Sequence, residues 1–285
     1  MQPSSFKNRA VALVAIFLII GSFSSSQNSQ PTPEIATRDL WDSNLMSKRP
    51  PRTSKKVTKG EDEALLGVTL WKLRPARSAD NPAVRSLIQE DDQTREWTPE
   101  RIRADTPLRE GDRVRISLES ARTGYLYVVD SDLYGDGTRG NSYLIFPTLR
   151  IRGGNNSVGA GTLVEIPSQE DAPPYFRMRR SRPDQSVELL TIFVSPAPIE
   201  HLQIGSNRLL MSADQIAQWK KQCACTSAKL ESPATAGLPY TLAEKAAGNS
   251  EKKLTQHDPL PQTMYRVDAK LGKPLFVELQ LQVGP

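Results

Sequence analysis

A chain of 285 residues is long enough for one large domain or two small ones, either able to bury a real core, so length alone decides little. The formal charge of +5 is concentrated at the N-terminal end: residues 1–60 hold nine of the 37 Lys and Arg but three of the 32 Asp and Glu, leaving 28 against 29 in the remainder. A body so nearly neutral lacks the cationic excess with which a domain grips a phosphate backbone, so nucleic acid is not expected as a partner.

At the start, Lys7 and Arg9 precede the uncharged apolar run Ala10 to Ile20, which includes Val11, Leu13 and Phe17; Gly21, Ser22 and Ser24 to Ser26 follow. A positive segment, an apolar core and small side chains in that order predict a signal peptide over residues 1–26. The protein is then expected to be exported, to the periplasm or the medium, in association with the envelope. The alternative is a retained N-terminal membrane anchor. Apolar character reaches Phe23, giving 14 residues, short of the roughly 20 that a spanning helix needs.

Residues 27–60 are rich in Ser, Pro, Thr and Lys, with only isolated apolar residues such as Ile35, Leu40 and Trp41, and predict a disordered linker that builds no core. Lys48, Arg49, Arg52, Lys55, Lys56 and Lys59 give six cations in twelve residues. Such a run is a soluble spacer, or else a peripheral contact with anionic lipid or envelope polymer worth about 1 kcal/mol per cation near the surface.

From Leu65 the texture changes to alternation of period two, the pattern of half-buried strands. Val114, Ile116 and Leu118 alternate with charged and polar neighbours, as do Leu275, Val277, Leu279, Leu281 and Val283. Further strands are predicted at 66–73, 125–130, 143–146, 162–166, 187–194 and 263–267, separated by Gly, Pro, Asn and Asp clusters. The 187–194 segment is apolar on both faces apart from Glu188 and Thr191, which predicts a central strand between layers. Ser212 with Gln215 and Thr241 with Glu244 form capping boxes that start two helices. A third helix is predicted from Pro82 to about Gln93, with Asn81 as its cap and Val84, Leu87 and Ile88 on one side. The fold class expected is mainly β: an antiparallel β-sandwich, or a barrel-like closure, with two or three short peripheral helices in a single domain over 61–285.

The stretch from Leu108 to Ser195 carries a Gly-Asp pair opening a strand (Gly111, Asp112), a Gly-Tyr-Leu-Tyr strand (Gly124, Tyr125, Tyr127), a Phe-Pro ending a strand (Phe146, Pro147) and a late Ile-Pro (Ile166, Pro167). In these motifs it resembles the family catalogued as domain of unknown function 4384, and the flanks at 66–76 and 254–267 resemble its longer members in soil bacteria. The resemblance implies a β-rich, exported or envelope-associated accessory module. It brings no catalytic or ligand-binding residues with it. Physically, the glycines suit turns and the prolines suit strand ends.

Candidate chemistry is sparse. Asp130 to Thr138 holds three carboxylates among glycines, but Tyr134 stands at the fifth position, where an EF-type calcium loop wants an oxygen ligand, and Asn141 at the twelfth, where it wants a bidentate Glu, and Asp136-Gly137 is a hairpin turn signal. His201 and His257, the two histidines, lie in loops without a nucleophile elbow. Cys223 and Cys225 read as two free or locally oxidised thiols, because residues two apart on a helix point to different sides. Arg177, Arg179, Arg180 and Arg182 form the densest positive run of the body: an edge face paired with Glu170 and Asp171, or a patch for a carboxylated polymer. The function expected is a non-catalytic envelope module that binds a protein or an anionic glycan, without cofactor or metal; the alternative is a hydrolase acting on envelope material.

Overall fold

The computed structural model describes Trp41 and residues 62–90, 93–232, 235–250 and 253–284. The predicted leader, with Ala10, Val11, Leu13, Phe17 and Ile20, lies outside the described residues, as does the basic run from Lys48 to Lys59.

Among the residues from 62 onward that are described, the order is fourteen strands and two α-helices: β1 (Glu63–Pro75), β2 (Ser86–Glu90), β3 (Gln93–Ile102), β4 (Arg113–Ser120), β5 (Gly124–Tyr134), β6 (Arg139–Phe146), β7 (Ser157–Val158), β8 (Leu163–Ile166), β9 (Phe176–Arg177), β10 (Gln185–Ser195), β11 (Leu209–Met211), α1 (Ala213–Cys223), β12 (Thr226–Glu231), α2 (Leu242–Gly248), β13 (Thr263–Asp268) and β14 (Leu275–Gln282). They form two antiparallel sheets, one of eight strands and one of six, packed as a sandwich. In the first, the long β1 pairs with β13 and then β3 along one side and with β4 along the other. The second runs β11-β6-β5-β10-β14, with β7 added beside β5. All eight sequence-predicted strands are present, and β10 is central, bonded to β5 and β14.

Alternation explains the core. Val68, Leu70, Val114, Ile116 and Leu118 of the first sheet meet Val128, Leu190, Ile192, Val277 and Leu279 of the second in one buried cluster. The opposite face of the second sheet is covered by α1, whose Ile216, Trp219 and Cys223 recur at helical spacing and are buried. Trp219 stacks on Phe193 with ring centroids 4.9 Å apart, a contact worth about 0.5–1.5 kcal/mol beyond its burial. The outer face of the first sheet carries Arg101, Arg115 and Glu119, all buried, because the chain from Thr235 to Gln262, including α2, folds over it. There Arg101 pairs with Glu244 of α2, and Tyr240 donates to Glu165. Burial pushes the Glu165 carboxyl up, against the opposing charge of Arg115.

Three expectations need correction. The segment predicted as a third helix is a single turn at Pro82–Val84, capped by Asn81 as expected, and then the hairpin β2-β3; Leu87 is exposed and Ile88 buried, a period of two. Trp41, assigned to a linker without a core, is buried against Leu65, Ala121, Leu260 and Met264. Cys223 and Cys225 are joined by a disulfide. The helical argument against a bridge fails because α1 ends at Cys223 and Ala224 turns left-handed (φ 46°), which brings Cys225 back beside Cys223.

The signature residues take structural places. Gly111 has φ 85° in the turn before β4, a conformation that glycine adopts without Cβ strain. A side chain at Gly124 would meet the carbonyl oxygen of Ser195 at 2.4 Å, so close pairing of β5 with β10 requires glycine there. Asp112 accepts from Lys72 at 2.7 Å. Tyr125 packs at the edge of the core, and the Tyr127 hydroxyl accepts from the Ile199 backbone at 2.8 Å. Phe146 and Ile166 end β6 and β8, and Pro147 and Pro167 follow them.

Among the described residues no helix is long and apolar enough to cross a membrane, which bears on helices alone.

Candidate functional site

Along β5 the residues Val128, Asp130, Asp132 and Tyr134 project to the same side, since side chains alternate across a strand. Val128 is part of the inter-sheet core, so Asp130 and Asp132 continue the core face into charge. The register sets Glu188 of β10 opposite Asp132 and Tyr143 of β6 opposite Asp130, on that same face. Near Asp132 the ladders slip, between Ser131 and Leu133 of β5 against β6 and between Gln185 and Val187 of β10 against β5. Such bulges bend a strand and re-aim its side chains. Here they accompany an opening of the sandwich into a cavity of about 660 Å³.

One wall of the cavity is apolar, formed by Leu70, Val114 and Ile116 of the first sheet. Its floor holds Asp130, Asp132 and Glu188. Its rim holds five arginines, Arg150, Arg177, Arg179, Arg180 and Arg208, together with the rings of Tyr134, Tyr143, Tyr175 and Phe176. Arg208 lies over the Tyr143 ring, 3.8 Å from its centre, which places a guanidinium close to the floor.

The three floor carboxyls differ in their partners. Asp132 accepts from Ser181 Oγ at 2.6 Å and from Gln185 Nε2 at 2.8 Å. Asp130 Oδ1 and Glu188 Oε2 are shielded and receive no donor among the described residues. The Asp130 and Glu188 carboxyls are within hydrogen-bonding reach of each other, a contact that is attractive only with a proton between them. Both side chains retain contact with the cavity, although protein encloses them on most sides. That enclosure pushes Glu188 up to about 9, helped by the charge of Asp130, and pushes Asp130 up to about 6; Arg208 opposes both shifts. At neutral pH the pair therefore holds one proton jointly.

The arginine run is only partly as the sequence suggested. Arg177, Arg179 and Arg180 line the cavity, while Arg182 turns outward, lies 4.0 Å over Tyr134 and pairs with Asp136 and Asp184 at 3.1 and 2.8 Å. Asp171, expected to pair with the run, accepts instead from the backbone of Ser168 and Arg152. The Asp130–Thr138 stretch divides: Asp130 and Asp132 face the cavity, and Asp136 shapes the turn by accepting from the Thr138 backbone at 2.8 Å. No group of three metal-binding side chains is assembled among the described residues. His201 is exposed beside Glu200, and His257 is exposed in its loop; neither lines the cavity.

Sequence reasoning overlooked the carboxyl pair. Its signal was present: Glu188 interrupts a strand that is otherwise apolar on both faces, and a buried central strand keeps a carboxyl only where something compensates it. What joins Glu188 to Asp130 and to the arginines is tertiary, so the strand alone does not show it.

Comparison with known proteins gives no relative: no family model matches the chain, no curated protein does, and no solved structure does. The likeness drawn from the motifs between Leu108 and Ser195 rests on those residues alone.

Proposed function

We propose that the protein is a non-catalytic binding module of the cell envelope, exported by its leader, and that it takes an anionic, hydroxyl-rich ligand such as an acidic glycan into the cavity between its sheets. The observation that carries this reading is the convergence of five arginines and an unsatisfied carboxyl pair on one cavity of about 660 Å³. Guanidinium forks suit carboxylates, tyrosine faces suit sugar rings, and buried carboxyl oxygens suit hydroxyl donors. The size lies in the range of ordinary small-molecule sites. Export fits a disulfide between Cys223 and Cys225, since such bonds persist in oxidising compartments. Membership of the domain of unknown function 4384 family is part of the same proposal.

Calorimetric titration of the full chain with uronate-containing and neutral oligosaccharides tests it. Arg150 and Arg179 have no ion-pair partner among the described residues, so replacing both by serine is expected to weaken uronate binding about tenfold or more. Uronate affinity unchanged by the double replacement, or no uronate binding at millimolar concentration, contradicts the reading.

A second reading, a hydrolase, draws on the shared-proton pair. Glycosidase carboxyls stand about 5 Å or more apart, wider than a pair in hydrogen-bonding reach, which leaves peptide hydrolysis by an acid dyad as its form. Release of new amino termini from a mixed peptide substrate at pH 4–6 distinguishes it from the binding module, which releases none.

A further inference from the structure

The floor of the cavity asks for more than a sugar hydroxyl. Asp132 already has both oxygens engaged by Ser181 and Gln185. Asp130 Oδ1 and Glu188 Oε2 are shielded and receive no donor from a third group among the described residues, while both side chains line the cavity. With both carboxyls ionised, the floor would carry three negative charges, opposed by the charge of Arg208, and the proton held between the pair lowers that excess. A ligand group that brings its own positive charge and several N–H donors can replace that proton and serve both carboxyls from the cavity side. An ammonium has three donors and one charge; a hydroxyl or an amide N–H has one donor and none.

We propose, resting on the binding reading above, that the cavity selects a zwitterionic ligand: a primary ammonium seated between Asp130 and Glu188, with a carboxylate of the same molecule against the rim arginines. The seated ammonium displaces the proton of the pair, which leaves to solvent; no bond other than that O–H is broken. The other titratable or polar groups lining the cavity from β5 and β6 are Asp132, Tyr134, Asn141 and Tyr143. β9 and the loops contribute Arg150, Arg177, Arg179, Arg180 and Arg208, whereas β1, β4 and β14 contribute apolar Leu70, Val114, Ile116 and Leu281.

The matched probes are muramic acid, a 2-amino sugar with a lactyl carboxylate, and N-acetylmuramic acid, which keeps the carboxylate and converts the amine to an amide. Titration of the full chain at pH 6.5 in two buffers of different ionisation enthalpy is expected to show muramic acid binding about tenfold or more tighter, with about one proton released per ligand, and the N-acetyl sugar binding without proton release. Glu188→Gln, checked for folding by its thermal melt, is expected to bring the ratio of the two affinities close to one. Equal affinities in the wild-type protein, or a muramic acid heat independent of buffer, overturn the ammonium seat while the binding reading stands. If uronate oligosaccharides bind and neither muramic sugar does, the ammonium seat is again overturned. If no acidic saccharide binds at all, the binding reading falls and takes the seat with it.

Discussion

Glu188→Gln is expected to raise the melting temperature at pH 8 and to leave it little changed at pH 4. The sign follows from the protons. Asp130 and Glu188 are pushed to about 6 and about 9, above the ordinary 3.8 and 4.5, so the folded chain binds more protons than the unfolded chain across that interval. The contribution to stability is therefore complete below about pH 4, where both states are protonated, and is lost as pH rises toward 9. Glutamine cannot ionise, fits the same space, and can donate an N–H to Asp130. The cavity admits water, which keeps the gain well below the full shift, at about 1–3 kcal/mol near pH 8, or a rise of several degrees for a domain of this size. Melting curves of both proteins from pH 4 to 9 read the difference directly. Parallel pH profiles for wild type and variant would show that the two carboxyls do not share a proton.

The opposite outcome is expected on the far side of the first sheet. Glu244→Ala is expected to destabilise the protein by about 3–5 kcal/mol, the range for breaking a buried pair and leaving one charge behind. Arg101 and Glu244 have side chains 1% and 3% exposed. Arg101 also donates to the Leu260 carbonyl at 2.5 Å and lies 5.0 Å from the centre of the Trp71 ring. Glu244 receives the Thr241 backbone N–H at 3.0 Å, so the substitution also removes that half of the capping box, while the Thr241 hydroxyl still accepts from the backbone of residue 244, a further cost below the roughly 1 kcal/mol of losing an N-cap side chain. Against the 5–15 kcal/mol typical of a domain, the sum is a large fraction. Denaturant unfolding at neutral pH measures it. The double change Arg101→Met with Glu244→Leu should recover much of the loss, since it leaves neither charge of that pair behind. A loss under about 1 kcal/mol for Glu244→Ala would mean that the pair is hydrated and the outer layer loosely held.

These two sites also show where the sequence was legible and where it was not. Strands with one dry face announced themselves: β4 by Val114, Ile116 and Leu118, and β14 by Leu275 to Leu281. Both capping boxes were readable because their bonds are local, within four residues. β3 was not, because QTREWTPERI carries charge at positions that other proteins leave in water. Here Arg101 is buried beneath chain that returns more than a hundred residues later, and Thr98 is buried where it donates to Asp80. Trp41 was missed for the same reason, since its packing partners Leu260 and Met264 lie near the other end of the chain. Val84, Leu87 and Ile88 suited a helix by spacing, and only pairing of Ser86–Glu90 with β3 decides for a strand after the turn at Pro82–Val84. At the site, the arginine run and the carboxyls were each noticed separately. Their convergence depends on the register of β5 against β10 and on the fold of the 167–181 segment over the cavity mouth.

The central claim is the proton held jointly by two carboxyls at the base of the cavity. Carbon-13 NMR titration of the Asp130 and Glu188 side-chain carboxyls, each assigned by its Asn or Gln variant, tests it most directly. The account predicts two linked steps, one near pH 6 and one near pH 9, with each carbon sensing both. Two independent transitions near the ordinary carboxylate range of about pH 4 would contradict it.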